Sequence, residues 1–219
     1  YSKSKFADFV SSLKAKYTAT GYYNAQIEPN IEIDSQNRIG IELNIYQGKR
    51  ATISSMTISG ATKFSEKELL DLFTIGEADM MLINYFTNKD RYTDLALNQG
   101  LELMNNHYFN SGYLDFKVLD VISTLDSNKE KLSIDIQITE GIQYKLGKVS
   151  FEGKLGNQTA ENLSDLLTIK SGDIFNRQSV VNDIQTIMDI YSDQGYAFVD
   201  INSITQDFLD TVNVKINIS

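Results

Sequence analysis

Few residue groupings in this sequence come near to working chemistry. Gly141 and Gly147-Lys148 approach a phosphate loop, in which backbone N–H groups cradle phosphates, a lysine neutralises them and a Ser or Thr holds magnesium. Five residues separate the two glycines where the loop needs four, and Val149 stands at the hydroxyl position. Phosphate chemistry is not expected there. Asp126-Ser127-Asn128-Lys129-Glu130 opens like a calcium loop, but position six is Lys131 where glycine is required and position twelve is Gln137 where a bidentate Glu is required. A hairpin turn is the expectation. His107, beside Tyr108 in a last helical turn, is placed to sit in solvent or against the helix dipole. Asn157-Gln158-Thr159 and Asn162-Leu163-Ser164 match the glycosylation acceptor pattern, a common coincidence that carries no weight. No catalytic, cofactor-binding or metal-binding residue is expected. The enzymatic alternative is glycan hydrolysis by an unrecognised Asp/Glu pair.

Composition narrows the classes further. The 219 residues are 42% hydrophobic and 22% charged, ordinary for a globular protein and long enough to bury a core. A net charge of −9 opposes binding to a phosphate backbone, so nucleic acid is excluded as a partner. With no cysteine there are no disulfides, thiolate metal sites or cysteine nucleophiles. No apolar run approaches the roughly 18 residues of a membrane-spanning helix. Tyr1 is not preceded by a charged segment and an apolar segment, so a signal peptide would be cleaved or lie outside this sequence.

One pattern occurs three times: Tyr17 to Tyr22, Tyr108 to Tyr113 and Tyr191 to Tyr196 all read Y-x-x-x-G-Y, with Gly21, Gly112 and Gly195 spaced by 91 and 83 residues. Upstream of each first tyrosine, residues at −4, −7 and −11 are apolar: Leu13, Val10 and Phe6; Met104, Leu101 and Leu97; Ile187, Ile184 and Val180. That spacing is one stripe of an amphipathic helix. The glycine ends it as a left-handed C′ residue, which puts the two tyrosines in the hydrophobic contact of a Schellman cap. The Gly-Tyr pairs are structural.

Downstream the period changes to two. Ala25, Ile27, Pro29, Ile31 and Ile33, then Ile39, Ile41, Leu43 and Ile45, predict a hairpin with one buried face, around a turn at Ser35-Gln36-Asn37. Leu132, Ile134, Ile136 and Ile138, and Val212, Val214, Ile216 and Ile218, end the other two hairpins. Gly48 and Gly141 follow, 93 residues apart, and short strands close at Gly60 and Gly153, also 93 apart. Helices come next: Ser65 to Glu68 is a capping box with Phe64 as its staple, and Thr159 is a predicted N-cap, as is Asn176. The unit is strand, helix, helix, strand, strand. Residues 1–48 carry only the second helix and hairpin, 49–141 are one whole unit and 142–219 the next, so the chain reads as a piece of a longer tandem array.

The β-α-α-β-β order, the helix-ending Y-x-x-x-G-Y and the Ile138 to Leu146 junction I-T-E-G-I-Q-Y-K-L resemble POTRA domains, in particular those of the outer-membrane barrel assembly family. The resemblance covers essentially the whole chain. It implies an α+β fold of tandem β-α-α-β-β domains, each a three-stranded mixed sheet covered by two helices on one face. The middle unit has 15 residues between Gly76 and Tyr92, similar to the insert in the third of five such domains. By resemblance the chain is the end of a second domain, a whole third and most of a fourth. The short turn Asp207-Phe208-Leu209-Asp210 departs from the family spacing and suggests a trimmed hairpin.

What the resemblance implies for function is a non-enzymatic periplasmic scaffold of an outer-membrane protein in a Gram-negative bacterium. Its partners would be nascent outer-membrane proteins and accessory assembly lipoproteins, with no cofactor, no small-molecule substrate, and membrane contact only through a barrel outside this chain. TamA-like and two-partner-secretion transporters share the fold and are the alternative; a cell-division scaffold carries a single unit and fits less well. The implied strand order is first, third, second, which leaves the second strand a free edge for β-augmentation. In the middle unit that edge is Phe116, Lys117, Val118, Leu119, Asp120, Val121 and Ile122. Phe116 and Val118 share a parity that Val121 and Leu125 break, as a β-bulge would. A second candidate surface is the insert from Glu77 to Asn88, carrying Met80, Met81, Leu82, Ile83, Tyr85 and Phe86.

Overall fold

Helix endings organise the chain, and they repeat. The computed structural model describes residues 2–36, 38–76, 90–196 and 199–219, the side chain of Phe208 excepted. Three helices of 17 residues, α1 (Lys3–Ala19), α3 (Asp94–Asn110) and α5 (Arg177–Asp193), each run into a Y-x-x-x-G-Y ending. Gly21, Gly112 and Gly195 have φ of 87°, 86° and 88°. The N–H of Tyr22, Tyr113 and Tyr196 donates to the carbonyl of Tyr17, Tyr108 and Tyr191 at 2.9, 2.9 and 3.1 Å. The glycine N–H donates to Thr18, Phe109 and Ser192. These are the paired bonds of a Schellman cap, and only glycine takes that φ without a Cβ penalty. The two tyrosine rings of each copy meet edge to face, 5.6 to 6.1 Å apart.

Strands follow each helix. β1 (Gln26–Ile33) and β2 (Ile39–Tyr46) form a two-stranded antiparallel sheet. β3 (Thr52–Ser59), β4 (Lys117–Leu125) and β5 (Lys131–Thr139) form a second sheet in the order β3-β5-β4. β6 (Lys145–Gly153), β7 (Ile201–Phe208) and β8 (Thr211–Ile218) form a third, ordered β6-β8-β7. In both three-stranded sheets the first strand joins the last in parallel after its helical crossover. The short helices α2 (Glu66–Leu70) and α4 (Ala160–Leu166) start at the expected caps: Ser65 Oγ accepts from Glu68 N and Thr159 Oγ1 from Asn162 N, both at 3.2 Å. Asn176 Oδ1 caps α5 through Ser179 N at 2.9 Å.

By contact the chain groups into two compact units, Tyr1–Leu103 with Val118–Ile138, and Met104–Lys117 with Thr139–Ser219. The stripes predicted for α3 and α5 lie inward, with Leu97, Met104, Tyr108, Val180, Ile187 and Tyr191 buried. Central strands β5 and β8 alternate as expected: Leu132, Ile134, Ile136, Ile138, Val212, Val214, Ile216 and Ile218 are all buried. Each such aliphatic contributes about 1.5 to 3 kcal/mol relative to exposure.

The first hairpin corrects an expectation. Its register is as read, with Ile27 opposite Ile45, Pro29 opposite Leu43 and Ile31 opposite Ile41. Its apolar face is not buried: Ile31, Ile33, Ile39, Ile41 and Ile45 are 38 to 65% exposed, and α1 has no fully buried residue. Alternation specifies which side chains share a face. Burial needs a covering layer, and this sheet has two strands where the others have three.

Turns account for the motifs that mimic chemistry. Asp126 Oδ1 accepts from Glu130 N and Lys131 N at 2.8 and 2.9 Å, closing the β4–β5 hairpin, and the Lys131 bond foremost holds the carboxyl below its usual range. Gly147-Lys148 sits where β6 gains one residue on β8, a bulge between Leu146 and Val149. There Asn213 Oδ1 accepts from Lys148 N at 2.6 Å, and a Cβ on Gly147 would collide with that oxygen. β3 carries the equivalent bulge between Ile53 and Ser55. His107 is half-buried, its ring edge-on to Tyr108, so the solvated reading does not hold.

The β7–β8 turn is as short as expected. Leu209, 80% exposed, takes φ 54° in the two-residue connection. An L-residue with a bulky side chain is disfavoured there by about 1 to 2 kcal/mol. Leu209→Gly is expected to raise the stability of this unit by about 1 kcal/mol in urea unfolding. No gain would show that the turn relaxes in solution.

Candidate functional site

The sheets bring their second strands to the edge. Among the described residues β4 and β7 each pair on one side only, so one row of backbone N–H and C=O groups faces away from the sheet. Phe116 lies just before β4 and is 3% exposed, stacked on Tyr108 with ring centroids 4.0 Å apart at 9°. It anchors the strand. Within β4, Lys117, Leu119, Asp120 and Ile122 are exposed, while Val118, Val121 and Leu125 are half-buried. Inward positions thus fall at spacings of three and four instead of two. Within this stretch Val121 N donates to Asp120 Oδ1 at 2.8 Å, a local side-chain bond. Met80, Met81, Leu82, Ile83, Tyr85 and Phe86 lie outside the described residues.

The geometry of β7 can be worked out to the atom. Asp200 and Ser219 exchange both backbone bonds at 3.0 Å, so by antiparallel alternation the next exchanging pairs are Asn202–Asn217, Ile204–Lys215 and Gln206–Asn213. The N–H and C=O groups of Ser203, Thr205 and Asp207 therefore point outward. Their side chains share the face of Val212, Val214 and Ile216, where they line a cleft of about 550 Å³ opposite Phe109, Val180 and Val181. Arg177 adds a cation to this cleft and sits 5.6 Å over the Phe109 ring. Polar side chains on the inner face of an edge strand discourage pairing with random sheets while leaving its backbone free. Sequence reading missed this cleft; the polar run Ser203, Thr205, Asp207 at core parity was the available signal.

A second overlooked group is Asp183, only 2% exposed in α5. Its carboxylate accepts from Thr168 N through both oxygens at 3.0 Å, from Thr168 Oγ1 at 2.7 Å and from Ile169 N at 3.2 Å. Every contact satisfies backbone or hydroxyl donors of the segment after α4. It is a clamp, not a reactive group.

The repeated unit is a three-stranded mixed sheet reached through a helical crossover, with its second strand at the sheet edge. The chain belongs to the POTRA family: the model described as "surface antigen variable number repeat" matches residues 1–48, 51–141 and 144–219. It is similar to the outer membrane protein assembly factor BamA of Neisseria meningitidis serogroup B, 30% identical over 193 residues, covering 88% of this chain and 24% of that protein. The BamA of Nitratidesulfovibrio vulgaris is 28% identical over 195 residues, covering 87% and 24%. This chain thus spans about a quarter of the length of these relatives. The crystal structure of Haemophilus influenzae BamA POTRA3-5 matches with a TM-score of 0.63 at 20% identity, covering 77% of this chain and 66% of that one. These are POTRA domains of the BamA kind, a scaffold and not an enzyme.

Proposed function

We propose that the chain is part of the periplasmic region of an outer-membrane assembly protein, where it receives unfolded outer-membrane proteins and docks accessory lipoproteins by β-augmentation. In this reading residues 1–48, 49–141 and 142–219 correspond to the end of a second, a whole third and most of a fourth POTRA domain. The observation that carries it is the strand order β3-β5-β4 and β6-β8-β7, which puts the second strand of each unit, β4 and β7, at the sheet edge. Main-chain pairing suits clients that share strand propensity and no motif. The names of the relatives supply the assembly role.

Val118→Pro and Asp120→Pro test the β4 edge, and Thr205→Pro tests β7, where the lost N–H points outward and no ladder bond is removed. The probe is a peptide from an outer-membrane barrel strand with alternating apolar residues. Affinity at the edge that binds is expected to fall at least about tenfold, equivalent to roughly 1.4 kcal/mol. Unchanged affinity in all three variants, with circular dichroism intact, would sink the reading.

A further inference from the structure

The cleft beside β7 has two ends, and strand pairing fixes which residues stand at each. Phe175 N donates to the carbonyl of Tyr144 at 3.0 Å, while Leu146 pairs with Val212 and Val212 with Asp207. The start of α5 therefore lies by the last residues of β7. At the other end Tyr191 Oη donates to the carbonyl of Leu155 at 2.8 Å, just past β6, whose Gly153 pairs with Ile218 and Ile218 with Ile201. The helix thus runs antiparallel to β7. Four residues of helix advance about 6 Å and two of strand about 7 Å, so Arg177 stands by Asp207 and Val181 by Thr205.

Arg177 and Asp207 are both exposed and line the same cleft with opposite charges, yet neither has an ion-pair partner among the described residues. Arg177 lies over the Phe109 ring instead. A residue of an added strand directly opposite Asp207 has its side chain on the cleft face, between these two charges. Neither sign suits that place, because a carboxylate meets Asp207 and an ammonium meets Arg177. A carboxamide satisfies both: its oxygen accepts from the guanidinium and its amide N–H groups donate to the carboxylate. Two residues further along the strand, opposite Thr205, the side chain meets Val181, 49% exposed, with Val180 buried behind it. That position takes a large apolar group.

We propose that the β7 edge selects strands with a neutral polar residue at i and a large apolar residue at i+2, and that Arg177 and Asp207 set the choice at i. The selectivity rests on the reading that β7 accepts an added strand, taken here as antiparallel, the slightly more stable pairing per residue.

The test uses this chain and the barrel-strand peptide, capped at both ends, with Tyr at i+2 and Gln, Glu or Lys at i. Affinities are measured by fluorescence anisotropy at low ionic strength, where charge effects are least screened. The Gln peptide is expected to bind at least about threefold tighter than either charged one. Arg177→Met is expected to turn the charge preference to Lys and Asp207→Asn to turn it to Glu, each moving the Lys-to-Glu affinity ratio at least about threefold. Circular dichroism checks that both variants fold. Equal affinities for the three peptides, or a ratio that does not move in opposite directions in the two variants, overturn this inference alone, since peptides that still bind leave the edge reading standing. No binding by any peptide overturns both.

Discussion

Asp183→Ala is expected to destabilise the last unit by on the order of 4 kcal/mol, among the largest effects of any single substitution in the chain. The carboxylate is buried and its oxygens accept from Thr168 N, Thr168 Oγ1 and Ile169 N. Alanine leaves the buried Ile169 N–H and the part-buried Thr168 donors without their acceptor, a buried donor alone costing about 1 to 3 kcal/mol, and opens space in a packed helix face. Asp183→Asn keeps the shape and one acceptor oxygen, so roughly half the loss is expected. Urea unfolding of the two variants measures this directly. A loss below about 1 kcal/mol for alanine would mean that water or a rearranged loop replaces the carboxylate.

Gly60→Ala is expected to cost the middle unit about 3 kcal/mol or more. Gly60 closes β3 at φ 97°, and a Cβ there would run into the carbonyl oxygen of Ile138. Two penalties add: the left-handed backbone, roughly 1 to 2 kcal/mol, and the displacement of β5 from β3. Gly172→Ala separates them. Gly172 has φ 94°, and among the described residues nothing lies within 4 Å of where its Cβ would stand, so only the first penalty applies. Equal losses at the two glycines would contradict the steric account. Gly153, at φ 100° against the Ile218 carbonyl, repeats the Gly60 geometry in the last unit.

Much of the scaffold was legible because it is local. Helix stripes, caps and left-handed glycines depend on residues within a few positions of one another, and all three Y-x-x-x-G-Y endings fold as their spacing predicts. The two-residue Leu209–Asp210 connection was also visible as a short turn. Asp183 was not, although it interrupts the stripe of Val180, Ile184 and Ile187 on α5. A charged residue beside an apolar stripe reads as its solvated margin until the donors of Thr168 and Ile169 are known to close over it. Gly147-Lys148 was set aside as a failed phosphate loop and emerges as a bulge, because the oxygen that occupies it belongs to Asn213 on a distant strand.

From the sequence alone come the repeat, the unit order and the family, since periodicity and capping are consequences of chain geometry over a few residues. Tertiary structure decided which of those surfaces are covered. The isoleucines of β1 and β2 alternate as regularly as those of β5, yet all of them but the half-buried Ile27 stay exposed while those of β5 are buried. The difference is the parallel first strand that joins β5 and β8 after a crossover. The same non-local pairing puts β4 and β7 at the edges and opens the cleft beside β7. A residue's period says which way it points; only the elements packed over it decide whether it meets core, solvent or a partner.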